Sequence, residues 1–278
     1  MKKNTLFPGK TALLFPLLLI SPLLMADVNG TDANNPDNPV VQPQPDAQSG
    51  GGRDQSQQFG DVLHGSDGND FIVGKLGIDI MFAGPGDDIL VGGTEDFNPL
   101  NRDRAFGEAG NDVFLWAPGD GSDYFNGGHG DSDVLMFGPL GEKAAGSAAP
   151  VFAVQTDQNF DPLFRDPISN LPAMNVTGSP GFCEVIDAST SEAAANTLSE
   201  LGLDHLIRFI IRGVADSFAA GGQSDDNGVR VTIHTKDVEY LVCTSRSGGQ
   251  VEVLNLTTTP PTAATISDLP AFVQAIIR

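Results

Sequence analysis

The sequence predicts a mainly β protein: a parallel coil of short strands over residues 59–137, then a small α+β or β-rich domain over 150–278. Three observations lead there. Asp61, Asp70, Asp79 and Asp88 recur every nine residues, and Leu63, Ile72, Met81 and Leu90 follow each by two. The residues between are rich in glycine. Beyond residue 150 glycine thins and the apolar runs lengthen.

Each nine-residue unit has a glycine-rich half ending in aspartate and an apolar or β-favouring triplet. Glycine allows the tight turn, and the triplet suits one short strand with its middle residue on one face. The units run Gly65-Ser66-Asp67-Gly68-Asn69-Asp70-Phe71-Ile72-Val73, then Gly74 to Phe82, then Ala83 to Val91. About six extra residues at 95–101 precede Asp103 and Ala105, and the register returns at Asp112/Phe114. Looser copies follow at Asp123/Phe125 and Asp133/Leu135, with Trp116-Ala117 and Asp131 as small insertions.

This grammar resembles the RTX nonapeptide, Gly-Gly-x-Gly-x-Asp-x-apolar-x, a calcium-binding repeat that folds as a parallel β-roll. On that plan two units make one coil, and each unit stacks on the next but one. Asp70, Asp88, Asp112 and Asp133 fall on one edge, and Asp61, Asp79, Asp103 and Asp123 on the other. The resemblance implies calcium ligands at these eight residues and at turn positions Gly65, Asp67, Gly68, Gly74, Gly77, Gly84, Gly86, Gly107 and Gly110. Calcium takes six to eight oxygens from carboxylates and carbonyls, which two stacked turns can supply. Leu63, Ile72, Met81, Leu90, Ala105, Phe114, Phe125 and Leu135 should fill the interior.

Alternation turns Phe71, Val73, Ile80, Phe82, Ile89 and Val91 outward, an apolar face too large to leave bare. The C-terminal domain or another chain is expected to cover it. Trp116, Tyr124 and Phe125 are expected to shield the last strand edges.

The 278 residues carry a formal charge of −21, and 61–133 holds 15 acidic side chains against Lys75, Arg102 and Arg104. A nucleic-acid partner would need a basic footprint, which this chain lacks. An unliganded acidic block repels itself, and divalent cations relieve that repulsion.

Lys2 and Lys3 precede an apolar stretch at 12–25, and Ala26 suits cleavage before Asp27: residues 1–26 read as a secretory signal peptide. Pro16, Pro22 and the short length argue against a membrane span. Residues 27–58, without an aromatic, are expected to be a disordered linker. Secretion to the exterior, the periplasm or the cell surface follows from the leader. Extracellular calcium modules, with dissociation constants of about 10⁻⁴ to 10⁻³ M, suit such compartments. Cys183 and Cys243 could pair under oxidising conditions.

In the C-terminal region 191–201 reads as a helix. Residues 203–214 fit a helical face and also a strand, and strand is preferred because alternating runs at 229–234 and 238–242 follow to pair with it. Residues 251–256 suggest another strand, and Ser267-Asp268 starts a last helix with Pro270 in its first turn.

No Gly-x-Ser-x-Gly, His-Glu-x-x-His or phosphate-binding glycine loop occurs. His64, His129, His205 and His234 are scattered. Asp87-Asp88 falls in a repeat, and Asp225-Asp226 in a loop at 221–228. The sequence therefore predicts a non-enzymatic, exported calcium-binding protein with a structural, surface or adhesion role, engaging a cell-surface or protein partner through its C-terminal domain. An exported hydrolase with the roll as a stability module is the alternative.

Overall fold

The computed structural model describes residues 26–29, 44–45, 59–75, 78–93, 102–130, 132–143, 148–152, 163–212 and 230–278. Outside them lie the expected signal peptide except Ala26, most of the 27–58 linker, Gly77, the 95–101 insertion, Asp131 and the 221–228 loop.

Among the described residues the first strands are β1 (Ala26–Asn29), β2 (Gln44–Pro45) and β3 (Phe59–Gly60). The roll then alternates between two sheets. β4 (Val62–His64), β6 (Ile80–Pro85), β8 (Arg104–Ala109) and β10 (Tyr124–Asn126) stack in parallel as one. β5 (Asp70–Lys75), β7 (Ile89–Gly93), β9 (Val113–Trp116) and β11 (Val134–Phe137) form the other. Within the segment expected as linker, β1 instead pairs in parallel with β5, and β2 pairs with β3. A strand edge offers unpaired N–H and C=O groups, and β1 takes up those of β5.

The nine-residue register turns every second strand residue inward. Ile72, Leu90, Phe114 and Leu135 align as one interior column, and Leu63, Met81, Ala105 and Phe125 as the other. All eight are buried in a single cluster. Removing each large one from water contributes about 1.5–3 kcal/mol.

The region beyond 150 does not stand apart from the roll. After β12 (Gly141–Glu142), β13 (Val151–Phe152), β14 (Gly181–Ile186), α1 (Glu192–Leu201) and β15 (His205–Ile211) come β16 (Arg230–Lys236) and β17 (Tyr240–Thr244). β16 pairs in parallel with β10, and β17 with β11, so the two sheets of the coil run straight into the C-terminal region. Leu241 extends the interior column begun by Ile72. The sheets end in antiparallel strands, β14 and β15 on one side, β18 (Val251–Asn255) and β19 (Thr262–Ala264) on the other. The open strand edges are therefore continued by more strands, not shielded by aromatic rings as the sequence suggested. Trp116 and Phe125 are instead interior, with Trp116 packed on Phe137 and Phe209 at centroid distances of 5.2 and 4.7 Å.

The 205–211 segment is a strand, as its alternation indicates. Ser191 caps α1, its hydroxyl accepting Ala194 N–H at 3.1 Å. The last helix starts later than expected: Ile266–Asp268 is a single 3-10 turn, and α2 (Ala271–Ile276) follows with Pro270 at its N-cap position, not in its first turn. Cys183 and Cys243 form a disulfide between β14 and β17, with Cα atoms 6.1 Å apart.

The expected cover for the apolar outer face is half realised. On the β5–β7–β9–β11 sheet, Phe71, Val73, Ile89 and Val91 lie under Leu140, Leu171, Met174 and Val176 and under Leu269, Val273 and Ile276. The Arg165 guanidinium sits 4.6 Å from the Phe71 ring centroid. On the opposite sheet Ile80 and Phe82 stay half-buried. There His64, Phe82 and Phe106 stack with centroids 5.0 Å apart, and Tyr124 tilts against Phe106 at 5.6 Å. The spacing is that of neighbouring strands, so each ring partly covers the next.

Candidate metal centre

Each turn of the roll delivers its aspartate to the same place on an edge. The strand that follows fixes the backbone: Ile80, Arg104, Tyr124 and His234 N–H donate to the carbonyls of Asp61, Asp79, Asp103 and Asp123. The aspartates themselves are linked by their side chains. Asp79 Oδ1 accepts Asp61 N–H at 2.6 Å, Asp103 Oδ1 accepts Asp79 N–H at 2.7 Å, and Asp123 Oδ1 accepts Asp103 N–H at 3.0 Å. On the other edge Asp88 Oδ1 accepts Asp70 N–H at 2.6 Å, Asp112 Oδ1 accepts Asp88 N–H at 2.9 Å, and Asp133 Oδ1 accepts Asp112 N–H at 2.7 Å. Two carboxylate ladders therefore run the length of the coil, all eight aspartates being buried.

One oxygen of each of these six accepting carboxylates is thus engaged, and the second oxygens of Asp79, Asp88, Asp112 and Asp123 have no hydrogen-bond partner. The first rung Asp70 is held instead by Ser66, whose N–H and hydroxyl donate to it. Leaving such groups buried is costly. Burial, more than any neighbour, pushes the Asp88 carboxyl up to about 7 and Asp112 up to about 9. Asp79 and Asp123 are also raised well above the ordinary range, by burial and then by the Asp103 carboxylate. Removing charged carboxylates from water calls for a cation or a proton at each.

Glycine makes room for the cation. A Cβ at Gly74 would sit 2.5 Å from Asp79 Oδ2 and against the carbonyl oxygen of Gly92 on the next coil. One at Gly65 would sit 2.6 Å from Asp70 Oδ2 and against Ala83 O, and Gly107 and Gly127 repeat the plan with Asp112 and Asp133. Carboxylate and carbonyl oxygens thus converge on each empty Cβ position. This all-oxygen donor set is that of a hard divalent cation, and it fits calcium.

The other turn residues lie around these cradles. Asp67 is exposed and outside the ladders, and Gly68 has open space around its Cβ position. Gly84, Gly86 and Gly110 have positive φ and bring their backbones against Ser66, Gly68 and Gly86 of the preceding coil, which permits close stacking. Asn69 and Asp87, one place before the ladder aspartates, form a side rail: Asp87 N–H donates to Asn69 Oδ1 at 3.0 Å, and Asn111 N–H to Asp87 Oδ1 at 2.9 Å.

Sequence reasoning missed Glu239. Its Oε2 accepts Asp133 N–H at 2.8 Å, so it occupies the next ladder position on the edge of Asp88, Asp112 and Asp133. Glu239-Tyr240-Leu241-Val242 copies Asp133-Val134-Leu135-Met136 in acidic and apolar register, but no glycines precede it to mark it. Asp120 was also missed: it is buried with Asp103 and Asp123 in a group whose ligand atoms all lie within 4.8 Å of one another.

The geometry defines a cation-binding repeat roll, with carboxylate ladders on both edges and glycine cradles between coils. Residues 61–96 match the family model of the RTX calcium-binding nonapeptide repeat in four copies. The chain carries RTX repeats, and calcium is the ion they take. No curated protein and no solved structure matches the chain significantly. Among the described residues, no helix is long and apolar enough to cross a membrane.

Proposed function

We propose that this chain is an exported, non-catalytic protein whose roll folds on binding calcium and then serves as a rigid structural, surface or adhesion element. The observation that carries this is the pair of ladders, in which Asp79, Asp103, Asp112 and Asp133 each have one oxygen fixed by backbone and the other directed into a glycine cradle. Bound calcium would supply the positive charge that lets these carboxylates remain ionised while buried.

The chain's own part is to align the ligands. Oδ1 contacts set the register between coils, and the interior columns hold the two sheets together. Without a cation, stacked carboxylates oppose the same coil that the apolar residues favour. Ligand binding to the folded form alone adds about 2.7 kcal/mol per site at a hundredfold excess over the dissociation constant. Several such sites are enough to decide whether a modest domain is folded. The leader-like sequence at 1–26 and the disulfide between Cys183 and Cys243 support export into an oxidising, calcium-replete compartment. A cell-surface or protein partner would then meet an already rigid body.

The test is circular dichroism of the purified mature chain in chelator, in millimolar calcium and in millimolar magnesium. A gain of β signal with calcium alone is the expected result. An unchanged spectrum and no heat of binding would remove the proposal.

A further inference from the structure

The cradle at Gly92 breaks the plan of the others. At Gly65, Gly74, Gly107 and Gly127 the Cβ position faces one ladder carboxylate and one backbone carbonyl of the stacked coil. At Gly92 the ladder carboxylate of Asp103 is in place, but the stacked partner is the Asp120 side chain, with both oxygens 3.0–3.1 Å away. A carboxylate stands where the other cradles have a carbonyl.

The cause is local. Asp112 and Asp123 are eleven residues apart, two more than the repeat, so the segment running from the end of β9 at Trp116 to Asp123 is lengthened. Asp120 N–H bonds to Ala117 O at 3.0 Å, and Trp116 Nε1 donates to Gly121 O at 3.1 Å. This doubled-back loop brings the Asp120 side chain inward, only 2% exposed, whereas Asp67 at the corresponding third position of its own unit is exposed. A second observation points to a ligand: Asp123, wholly buried, has Oδ2 without a hydrogen-bond partner in the same group of three carboxylates. The nearby guanidinium, Arg102, belongs to an exposed residue. Three carboxylates this close must share a proton or a cation.

We infer that Asp103, Asp120 and Asp123 form a distinct three-carboxylate calcium site, the tightest in the roll and the first to fill. The inference rests on the calcium reading of the roll, and it gives a ligand's role to a residue outside the nine-residue aspartate register. Affinity of oxygen sites rises with carboxylate count and rigidity, and this site has both. Early filling would pin β8 to β10 on their edge, beside the junction with β16, so that the roll would order from its C-terminal end.

Trp116, the only tryptophan, ends β9 and bonds to this loop through Gly121 O, so it reports on it. The experiment titrates the full mature chain with terbium, then with competing calcium. Trp116 is excited at the red edge of its absorption, where tyrosine is silent. The first equivalent should give sensitised terbium emission, and Asp120→Asn should weaken that phase roughly tenfold or more. Asp67→Asn should titrate as wild type. Wild-type behaviour of Asp120→Asn, or a first equivalent that produces no emission, overturns the inference while calcium-dependent folding of the wild type still stands. The emission measurement decides even if Asp120→Asn fails to fold. Absence of any metal-dependent signal in the wild type would remove both this site and the proposed function.

Discussion

Glu239 accepts the backbone N–H of Asp133 across 106 residues of sequence and becomes the last rung of a ladder otherwise made of repeat aspartates. Asp133 O in turn accepts the N–H groups of Glu239 and Tyr240. The C-terminal region is thus joined to the roll by the same bonds that join one coil to the next. Replacing Glu239 by Ala removes the carboxylate acceptor at this junction, at a cost of about 1–3 kcal/mol. The expected outcome is a melting temperature several degrees lower in saturating calcium, read by scanning calorimetry; an unchanged melt would show that the rung is dispensable.

Asp88 is a middle rung, accepting from Asp70 and donating to Asp112. Asp61 is a first rung on the other edge, its N–H held by Asp79. Asp88→Ala should therefore raise the calcium midpoint and flatten the transition, while Asp61→Ala should do so less. Isothermal titration of both variants checks the ranking, which equal curves would contradict.

Gly74 and Gly68 make a matched pair. A methyl group at Gly74 would enter the cradle beside Asp79 Oδ2, and one at Gly68 would meet nothing. Gly74→Ala should lose one calcium equivalent and destabilise the loaded protein, and Gly68→Ala should leave stoichiometry unchanged. Equilibrium dialysis counts the ions directly.

Without calcium, the raised carboxyls of Asp88 and Asp112 hold protons in the folded chain that the unfolded chain releases above about 4. Their contribution to the metal-free fold is fully present below the ordinary value of 3.8. It is lost as pH rises through about 7 for Asp88 and about 9 for Asp112. In chelator, β structure should increase on acidification from pH 8 to 4.5. In calcium the trend should reverse, because protons then compete with the ion. Parallel spectra over this range test both directions.

The Cys183–Cys243 bond spans 60 residues and links the two sheets. A loop of that size constrains the unfolded chain by about 4 kcal/mol in the chain-entropy view. Reduction, or Cys183→Ser with Cys243→Ser, should lower the melting temperature and leave the number of calcium ions bound unchanged. A drop in stoichiometry would mean that the bond also shapes the cradles.

The roll was legible because its side chains repeat with its backbone. Asp70, Asp79 and Asp88 fixed the edges, and Ile72, Met81 and Leu90 fixed the interior, since a nine-residue period returns each residue type to the same position. The C-terminal strands could be read from alternation, as at Ile207 and Phe209. Their connection to the roll could not. The pairing of β16 with β10 uses backbone groups, which no side chain announces. Asp120 escaped for a similar reason: it sits at a third position like exposed Asp67, and only the lengthened loop turns it inward.

By itself, then, the order of residues determined a calcium-binding coil, its two acidic edges and its apolar centre, because short-range periodicity and donor chemistry suffice for these. Tertiary structure alone decided that Glu239 caps a ladder, that Cys183 meets Cys243, and that Leu269, Val273 and Ile276 cover Phe71 and Ile89. Such contacts join distant segments, and their partners are chosen by packing and backbone pairing in three dimensions, which no local pattern encodes.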